Sequence, residues 1–309
     1  LEAKLLRRIN PEETAGIITD IQPDFVFHLA AQALVSESYR DPVSTLSTNV
    51  LGTAHVLEGI RRLSGPCTGV IITSDKCYEN LEWPWGYRET DRLGGKDIYS
   101  GSKSAAEMVI HSYFHSFFKD PESLARVAVT RAGNVIGGGD WARDRIVPDC
   151  MKAWSAGQRV AIRRPEATRP WQHVLEPLSG YLHLGEQLKT RKELNGEAYN
   201  FGPPARQNQS VLALLTAMAD LWDGAAYQSV PSPGNYEAGL LKLNCDKALA
   251  DLQWQSTLDF SQTVKMTVDW YRAFYEAGPD RAAQVTGRQI DDYVGMATAK
   301  SAVWTKDHD

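Results

Sequence analysis

Apolar and polar positions along this chain follow two rhythms: short continuous apolar runs, and longer segments with a helical period. Asp24 to Ala30 (DFVFHLA), Val70 to Thr73 (VIIT) and Arg126 to Thr130 (RVAVT) are continuous runs, the pattern of parallel strands buried on both faces. Helical patterns lie between them. Glu12 to Ile21 reads as a helix, with Asn10 as N-cap and Pro11 at the first position, where a missing N–H costs nothing. Asp41 can cap a helix opening with Pro42, and the apolar positions Val43, Leu46, Val50, Leu57 and Ile60 follow at helical spacing. Tyr99 to Phe118 is a third helix, with Ala105, Ala106, Val109, Tyr113 and Phe117 expected inward. Strands alternating with helices imply βαβ units and an α/β fold, a doubly wound parallel sheet with helices on both faces.

The pattern changes after Asn134. Gly137-Gly-Gly139 breaks it, and loops rich in Trp, Arg and Pro are expected to follow. Ala198 to Phe201 looks like a strand returning to the sheet, and Ser210 to Leu221 a helix. Leu240 to Asn244 and Ser261 to Tyr275 complete a smaller α+β lobe. The expected division is residues 1–140 with 195–225 for the sheet domain, and 141–194 with 226–309 for the smaller one.

Composition narrows the class. The net charge of -5, without a basic stripe, argues against nucleic acid as the main partner. No run is apolar and long enough for a membrane helix, and Leu1 to Asn10 is charged and amphipathic, unlike a secretory signal. Cys67, Cys77, Cys150 and Cys245 are scattered, which suggests free thiols in a reducing cytoplasm and no metal site.

The candidate chemistry sits where strands end. In open parallel sheets, ligands bind outside the carboxyl ends of the strands. Three polar blocks fall there: Ala30-Ala-Gln32, Ser74-Asp-Lys76 and Arg131 to Asn134. The helix bearing Tyr99 and Lys103 starts at the same edge. A tyrosine four residues before a lysine shares its helix face, and a nearby cation favours phenolate, so such a tyrosine can serve as a base. With 12 tyrosines and 13 lysines in 309 residues, chance supplies about half of one such pair. Convergence at one sheet edge lifts the pair above chance. His111 and His115 have i,i+4 spacing but lack the Glu of a zinc helix, and read as helix-surface residues.

At these residues the chain resembles the extended short-chain dehydrogenase/reductase family, and within it the sugar-nucleotide 4,6-dehydratases. The matching segments are His28-Leu-Ala-Ala-Gln32, Asn49-Val-Leu-Gly-Thr53, Thr73 to Asn80, Gly94 to Lys103, Arg131 to Trp141, Arg169-Pro-Trp-Gln-His-Val174 and Asn200-Phe-Gly-Pro203. Asp75-Lys76 resembles the branch acting on CDP-glucose; the thymidine-linked branch carries Asp-Glu there. Two departures stand out. The first strand, Asp24 to Ala30, resembles the family's fourth, so a preceding strand, glycine-rich turn and helix of roughly 40–50 residues are not in this sequence. The preferred expectation is that they exist outside it, because a lost half-sheet would leave apolar faces uncovered. Ile98 stands where the family usually has proline.

The resemblance implies a Rossmann-like fold, bound NAD, and an internal oxidation, elimination and reduction that yields CDP-4-keto-6-deoxyglucose. By the same resemblance, Tyr99 is the base at the 4-hydroxyl and Lys103 lowers its pKa and holds the nicotinamide ribose. Ser74 would hydrogen-bond O4, Asp75 protonate the leaving 6-hydroxyl, and Lys76 handle the C5 proton. Leu29, Ala30, Ala31, Gln32, Thr48 and Asn49 would line the cofactor, and Asn49 equally suits bonding helix backbone. Asn134, Arg145, Arg163, Arg169 and Asn200 would hold the nucleotide sugar, guanidinium forks suiting the diphosphate. Arg163 and Arg164 read as well as a solvated charge pair, His173 as a loop support, and Trp83, Trp85, Trp141 and Trp171 as packing or stacking residues. A homodimer through helices 43–62 and 99–118 is implied. A related epimerase or dehydratase for another nucleotide sugar, or a non-catalytic nucleotide-sugar or NAD-binding protein, stays open at this stage.

Overall fold

The computed structural model describes residues 10–230 and 239–306. The elements in chain order are α1 (Pro11–Ile21), β1 (Phe25–His28), α2 (Val35–Arg40), α3 (Pro42–Leu46), a π-helical turn (Ser47–Leu51), α4 (Gly52–Arg61), β2 (Cys67–Ile72), a single 3-10 turn (Asp75–Cys77), α5 (Ile98–Tyr113), a second π turn (Phe114–Phe118) and β3 (Ala125–Ala132). Then come β4 (Val135–Ile136), α6 (Ile146–Ser155), β5 (Val160–Ile162), β6 (Thr168–Arg169), β7 (Gln172–His173), α7 (Leu175–Thr190), β8 (Ala198–Phe201), β9 (Gln209–Ser210), α8 (Val211–Ala219), β10 (Tyr227–Ser229), α9 (Asp246–Leu252) and α10 (Phe260–Ala299). The chain divides into two compact units, residues 1–80, 89–131 and 181–199, and residues 81–88, 132–180 and 200–309. The boundaries differ from those drawn on the sequence pattern. Residues 181–190 of α7 join the first unit because they lie on its sheet, where Gly185 faces Phe27 and Val70. Residues 200–225 join the second because α8 is buried in that unit's core.

In the first unit β1 pairs β2 and β2 pairs β3, all parallel, with Phe25 opposite Thr68 and Cys67 opposite Ala125. The sheet order is β1-β2-β3-β8, as the three apolar runs imply. Leu57, Ile60, Ile71, Ile110, Phe118, Val127 and Val129 form its core. Each contributes about 1.5–3 kcal/mol of hydrophobic stabilisation when fully buried. Asn10 caps α1 by accepting from the Glu12 N–H at 3.1 Å, and Asp41 caps α3 through Ser44.

Two helices depart from the expected register. Phe117, expected inward, is exposed, and Phe118 is buried instead. The π turn over Phe114–Phe118 inserts an extra residue per turn and rotates the helix end by one position. Val43 and Leu46 are exposed, Val43 at 75%, while Leu57 and Ile60 are buried. The π turn at Ser47–Leu51 again separates the two faces.

The second unit has its own core of Val147, Met151, Trp154, Trp171, Leu214, Leu215, Met218, Val264 and Val268. The expected loops after Gly139 contain α6 and the start of α7. The segment Ser261 to Tyr275, assigned to the smaller lobe from its sequence, lies in a helix that runs on to Ala299, interrupted at Gly278. That glycine takes φ 79° before Pro279, which bars a continuous helix and opens the next one. Gly138 has no room for a side chain, because a Cβ would lie 2.0 Å from the Trp270 ring. Among the described residues no helix is long and apolar enough to cross a membrane.

Candidate active site

β2 delivers its polar block as a hydrogen-bonded turn. The ladder ends with the Thr73 N–H donating to the Thr130 carbonyl at 2.8 Å. Ser74 is extended (φ -169°, ψ 157°) and caps the turn Asp75–Cys77, its Oγ accepting from the Lys76 N–H at 3.2 Å. The same hydroxyl donates to Asp75 Oδ1 at 2.9 Å, and Lys76 Nζ meets that oxygen at 3.0 Å. The Asp75 side chain is 0% exposed and that of Lys76 30%. Asp75 Oδ2 is buried with no hydrogen-bond partner. A buried carboxylate with an unused oxygen is costly unless something else supplies a donor.

α5 is set against this turn. Asp97 caps it twice, accepting from the Ser100 N–H at 3.0 Å and the Ser100 hydroxyl at 2.7 Å. Gly95 lies flat on the helix start, where a Cβ would stand 2.3 Å from the Gly101 nitrogen. Tyr99 falls in the first turn and is buried, and Lys103, one turn on, is 6% exposed. Ser104 Oγ donates to the Cys77 carbonyl at 2.8 Å and pins helix to turn. Burial lowers the Lys103 pKa to about 8, with Cys77 and Glu107 pulling it back up. Among the described residues no ion pair involves Lys103.

The expected cofactor residues lie at the end of β1 and on the first π turn. Leu29 and Ala30 are exposed, Ala31, Gln32 and Thr48 partly buried. Asn49 is buried and works on the protein: Oδ1 accepts from the Gln32 N–H at 2.8 Å, and Nδ2 donates to the Gln32 carbonyl at 3.0 Å and to Ser102 Oγ at 2.8 Å. It thereby ties the β1 exit to α5, and the backbone it bonds is that of the loop at Gln32 rather than a helix.

In the second unit, Arg145 Nη1 pairs with Asp140 Oδ2 at 3.0 Å and Arg163 reaches Asp144 at 3.9 Å, all four side chains partly exposed or exposed. Arg169 is buried and donates to the Thr168 carbonyl at 2.8 Å. Asn200 is buried and donates to the carbonyls of Tyr87 and Asn244 at 2.9 and 3.0 Å, holding two loops. Asn134 takes a left-handed conformation (φ 51°), and its Oδ1 is buried without a partner. His173 is buried; burial lowers its pKa to about 4, and its Nδ1 accepts from the Leu175 N–H. Trp141 packs in a cluster with Trp270, Tyr271, Phe274 and Tyr275; Trp83 stacks on Tyr87, Trp171 is buried, and Trp85 is exposed.

The family described as GDP-mannose 4,6 dehydratase matches residues 9–267. The chain belongs to this dehydratase family. It is 42% identical over 292 residues to a CDP-glucose 4,6-dehydratase of Salmonella typhimurium, covering 93% of this chain and 80% of that protein. It is 29% identical to a dTDP-glucose 4,6-dehydratase of Streptomyces antibioticus, over 81% of this chain and 71% of that one. A solved dTDP-glucose 4,6-dehydratase from Bacillus anthracis, in complex with NAD, shares the fold at a TM-score of 0.69 and 20% identity, over 85% of this chain and 77% of that one.

For a member of this dehydratase family, the residues present fit the ribose end of a nicotinamide dinucleotide. A buried ammonium without a carboxylate partner needs acceptors of the kind that ribose hydroxyls offer. Small side chains at Ala30 and Ala31 leave the β1 exit open to a ligand. Among the described residues no group of three or more His, Cys, Asp or Glu side chains could hold a metal ion.

Sequence reasoning passed over Glu107 and Arg131 as a pair. They form a buried fork, Nε to Oε1 and Nη2 to Oε2 both at 2.8 Å. A signal was present: Tyr99, Lys103 and Glu107 continue one i,i+4 row.

Proposed function

We propose that this chain is a sugar-nucleotide 4,6-dehydratase that converts CDP-glucose to CDP-4-keto-6-deoxyglucose. The observation that carries the reading is the Asp75–Lys76 pair, hydrogen-bonded at 3.0 Å in a buried turn docked on the helix of Tyr99 and Lys103. Lys103 and the residues at the β1 exit would hold NAD, which would supply the hydride acceptor for C4 of the sugar and the hydride donor for C6. Tyr99 takes the 4-hydroxyl proton, helped by the Lys103 cation, and Ser74 positions O4. The resulting 4-ketone acidifies the C5 hydrogen. Elimination then needs an acid for the leaving 6-hydroxyl and a base for the C5 proton. Moving one proton along the Lys76–Asp75 hydrogen bond turns an ion pair into a carboxylic acid beside a neutral amine, the two forms required. Asp75 protonates the departing hydroxyl, which leaves as water. Lys76 takes the C5 proton and hands it back as C6 is reduced. Asp75 Oδ2, buried and without a hydrogen-bond partner, is the oxygen of the pair whose hydrogen-bonding capacity is unused. Cytidine is favoured by the 42% identical relative, named as a CDP-glucose enzyme.

Asn134 and the half-exposed Arg145 and Arg163 serve the nucleotide sugar, with Arg169 and Asn200 holding the loops around them. A second copy of the chain covers the exposed apolar residues Tyr39, Val43, Leu46 and Met108 on α2, α3 and α5. The four free thiols suit a reducing cytoplasm.

In the test, the protein is incubated with CDP-, dTDP-, UDP- and GDP-hexoses and NAD, and products are weighed for loss of water. CDP-glucose is expected to react fastest. Asp75→Asn is expected to reduce bound NAD on addition of CDP-glucose while barely releasing 4-keto-6-deoxy product. Wild-type turnover in that variant would sink the assignment.

A further inference from the structure

Glu107 and Arg131 are 4% and 5% exposed, and neither takes a direct part in the chemistry above. A buried ion pair is weak evidence for stability, because desolvating two charges offsets much of their attraction. What this pair touches is more informative. Glu107 Oε1 also accepts from the Thr73 hydroxyl at 2.5 Å, and Thr73 directly precedes the Ser74–Cys77 turn. Arg131 Nη1 donates to the Tyr78 hydroxyl at 2.8 Å, its guanidinium lies over the Tyr78 ring at 4.9 Å, and Tyr78 directly follows that turn. Arg131 Nη1 also donates to the Glu89 carbonyl at 3.1 Å. Glu107 itself stands one helical turn beyond Lys103. One fork therefore grips the turn of Asp75 and Lys76 at both ends and the helix of Tyr99 and Lys103 from within.

The electrostatics point the same way. The groups acting on Lys103 are Cys77 from the turn, Glu107 from its own helix and, across from β1, His28. His28 is held neutral near neutral pH, its pKa lowered to about 4 by burial and by the Lys103 charge. Burial pushes the Cys77 thiol well up, and Glu107 pushes it further, so it carries no charge there. Glu107 is the anion that remains, and Arg131, from β3, holds it in place. Burial disfavours the Arg131 charge, yet the Glu107 hydrogen bonds and charge more than offset this.

We propose that Glu107 and Arg131 are a positioning pair for the reaction: they lock the Ser74–Cys77 turn onto the helix of Tyr99 and Lys103, and they supply the anion that keeps Lys103 charged. The catalytic half rests on the dehydratase reading. The electrostatic half stands apart from it and is tested first.

In protein labelled with 15N-lysine, the Lys103 Nζ titration is followed by NMR, assigned with Lys103→Arg. Glu107→Gln is expected to lower the Lys103 midpoint by about one pH unit, and Glu107→Asp to restore it. An unchanged midpoint in Glu107→Gln overturns the electrostatic half, whatever the substrate proves to be. With CDP-glucose, the alkaline limb of kcat/KM is expected to shift down with that midpoint in Glu107→Gln. Thr73→Val and Tyr78→Phe each take one hydroxyl away from the fork, Thr73 losing its weaker contact with the Thr130 carbonyl as well, and leave the ion pair intact. They are expected to lower kcat about 3–10-fold with KM and the alkaline limb unchanged, matching one lost hydrogen bond of modest worth. Wild-type kcat in both overturns the positioning half, even if Glu107→Gln fails to fold. A wild-type protein that dehydrates no nucleotide hexose defeats the dehydratase reading and leaves the titration result standing.

Discussion

The corner of the first unit around Asp75 and the arginines of the second unit handle charge in opposite ways. Asp75, Lys103, Glu107 and Arg131 are buried, and most of their polar atoms are committed to fixed partners. Arg145 and Arg163 are half-exposed, each facing a single aspartate with comparable exposure. A buried, hydrogen-bonded array costs desolvation during folding and then needs no reorganisation when charge moves in a reaction. An exposed pair holds its partner weakly, typically by less than about 1 kcal/mol, and exchanges it for a better one such as phosphate. The first arrangement suits proton transfers within one substrate. The second suits binding and releasing a diphosphate. Tyr99 and Asp75 should therefore govern kcat, and Arg145 should govern KM.

The largest expected effect is at the buried corner. Tyr99→Phe removes the base and should lower kcat about 10²–10⁴-fold with KM little changed, measured by steady-state kinetics with CDP-glucose. A matching rise in KM would break the contrast. Arg145→Ala should do the reverse, raising KM about 10–100-fold as a charge-assisted contact is lost, with kcat near wild type. Next comes pH. Lys103 is cationic below its pKa of about 8 and loses that charge as pH rises through it, so kcat/KM should fall about tenfold for each further unit. Stability should move the other way. A lysine whose folded pKa is depressed binds fewer protons folded than unfolded, so its cost is full below about 8 and is relieved as pH rises toward 10.5. Chemical denaturation across that window, beside the rate profile, checks both signs. The smallest effect is expected at Arg163, whose 3.9 Å contact with Asp144 is long and exposed. Arg163→Ala should leave kcat and KM within about twofold. A larger change would place it with Arg145.

The three apolar runs and the two helix caps were legible because each is a local signal, a continuous buried strand or a side chain bonding its own helix. The position of Ser74, Asp75 and Lys76 at a strand end, and of Tyr99 and Lys103 one turn apart on a helix, was legible because strand ends and an i,i+4 row are also local. The register beyond the π turns was not. Nothing in a 3.6 period says where an extra residue enters, so Phe117 and Phe118 exchange places only when the core is packed. The partners of Asn49 were not legible either: only packing brought its amide onto Gln32 and Ser102. The same holds for α6, whose Trp- and Pro-bearing sequence is a weak helix signal until α8 and α10 bury it.

By itself, then, the amino-acid sequence determined the alternation of strands and helices and the polar blocks at the strand ends, because both are written in neighbouring residues. Only the tertiary structure decided that Thr73, Tyr78, Glu107 and Arg131, far apart in the chain, close one buried network around that corner. A buried charge finds its partner across space, after the sheet and α5 have excluded water, and no local pattern records that choice.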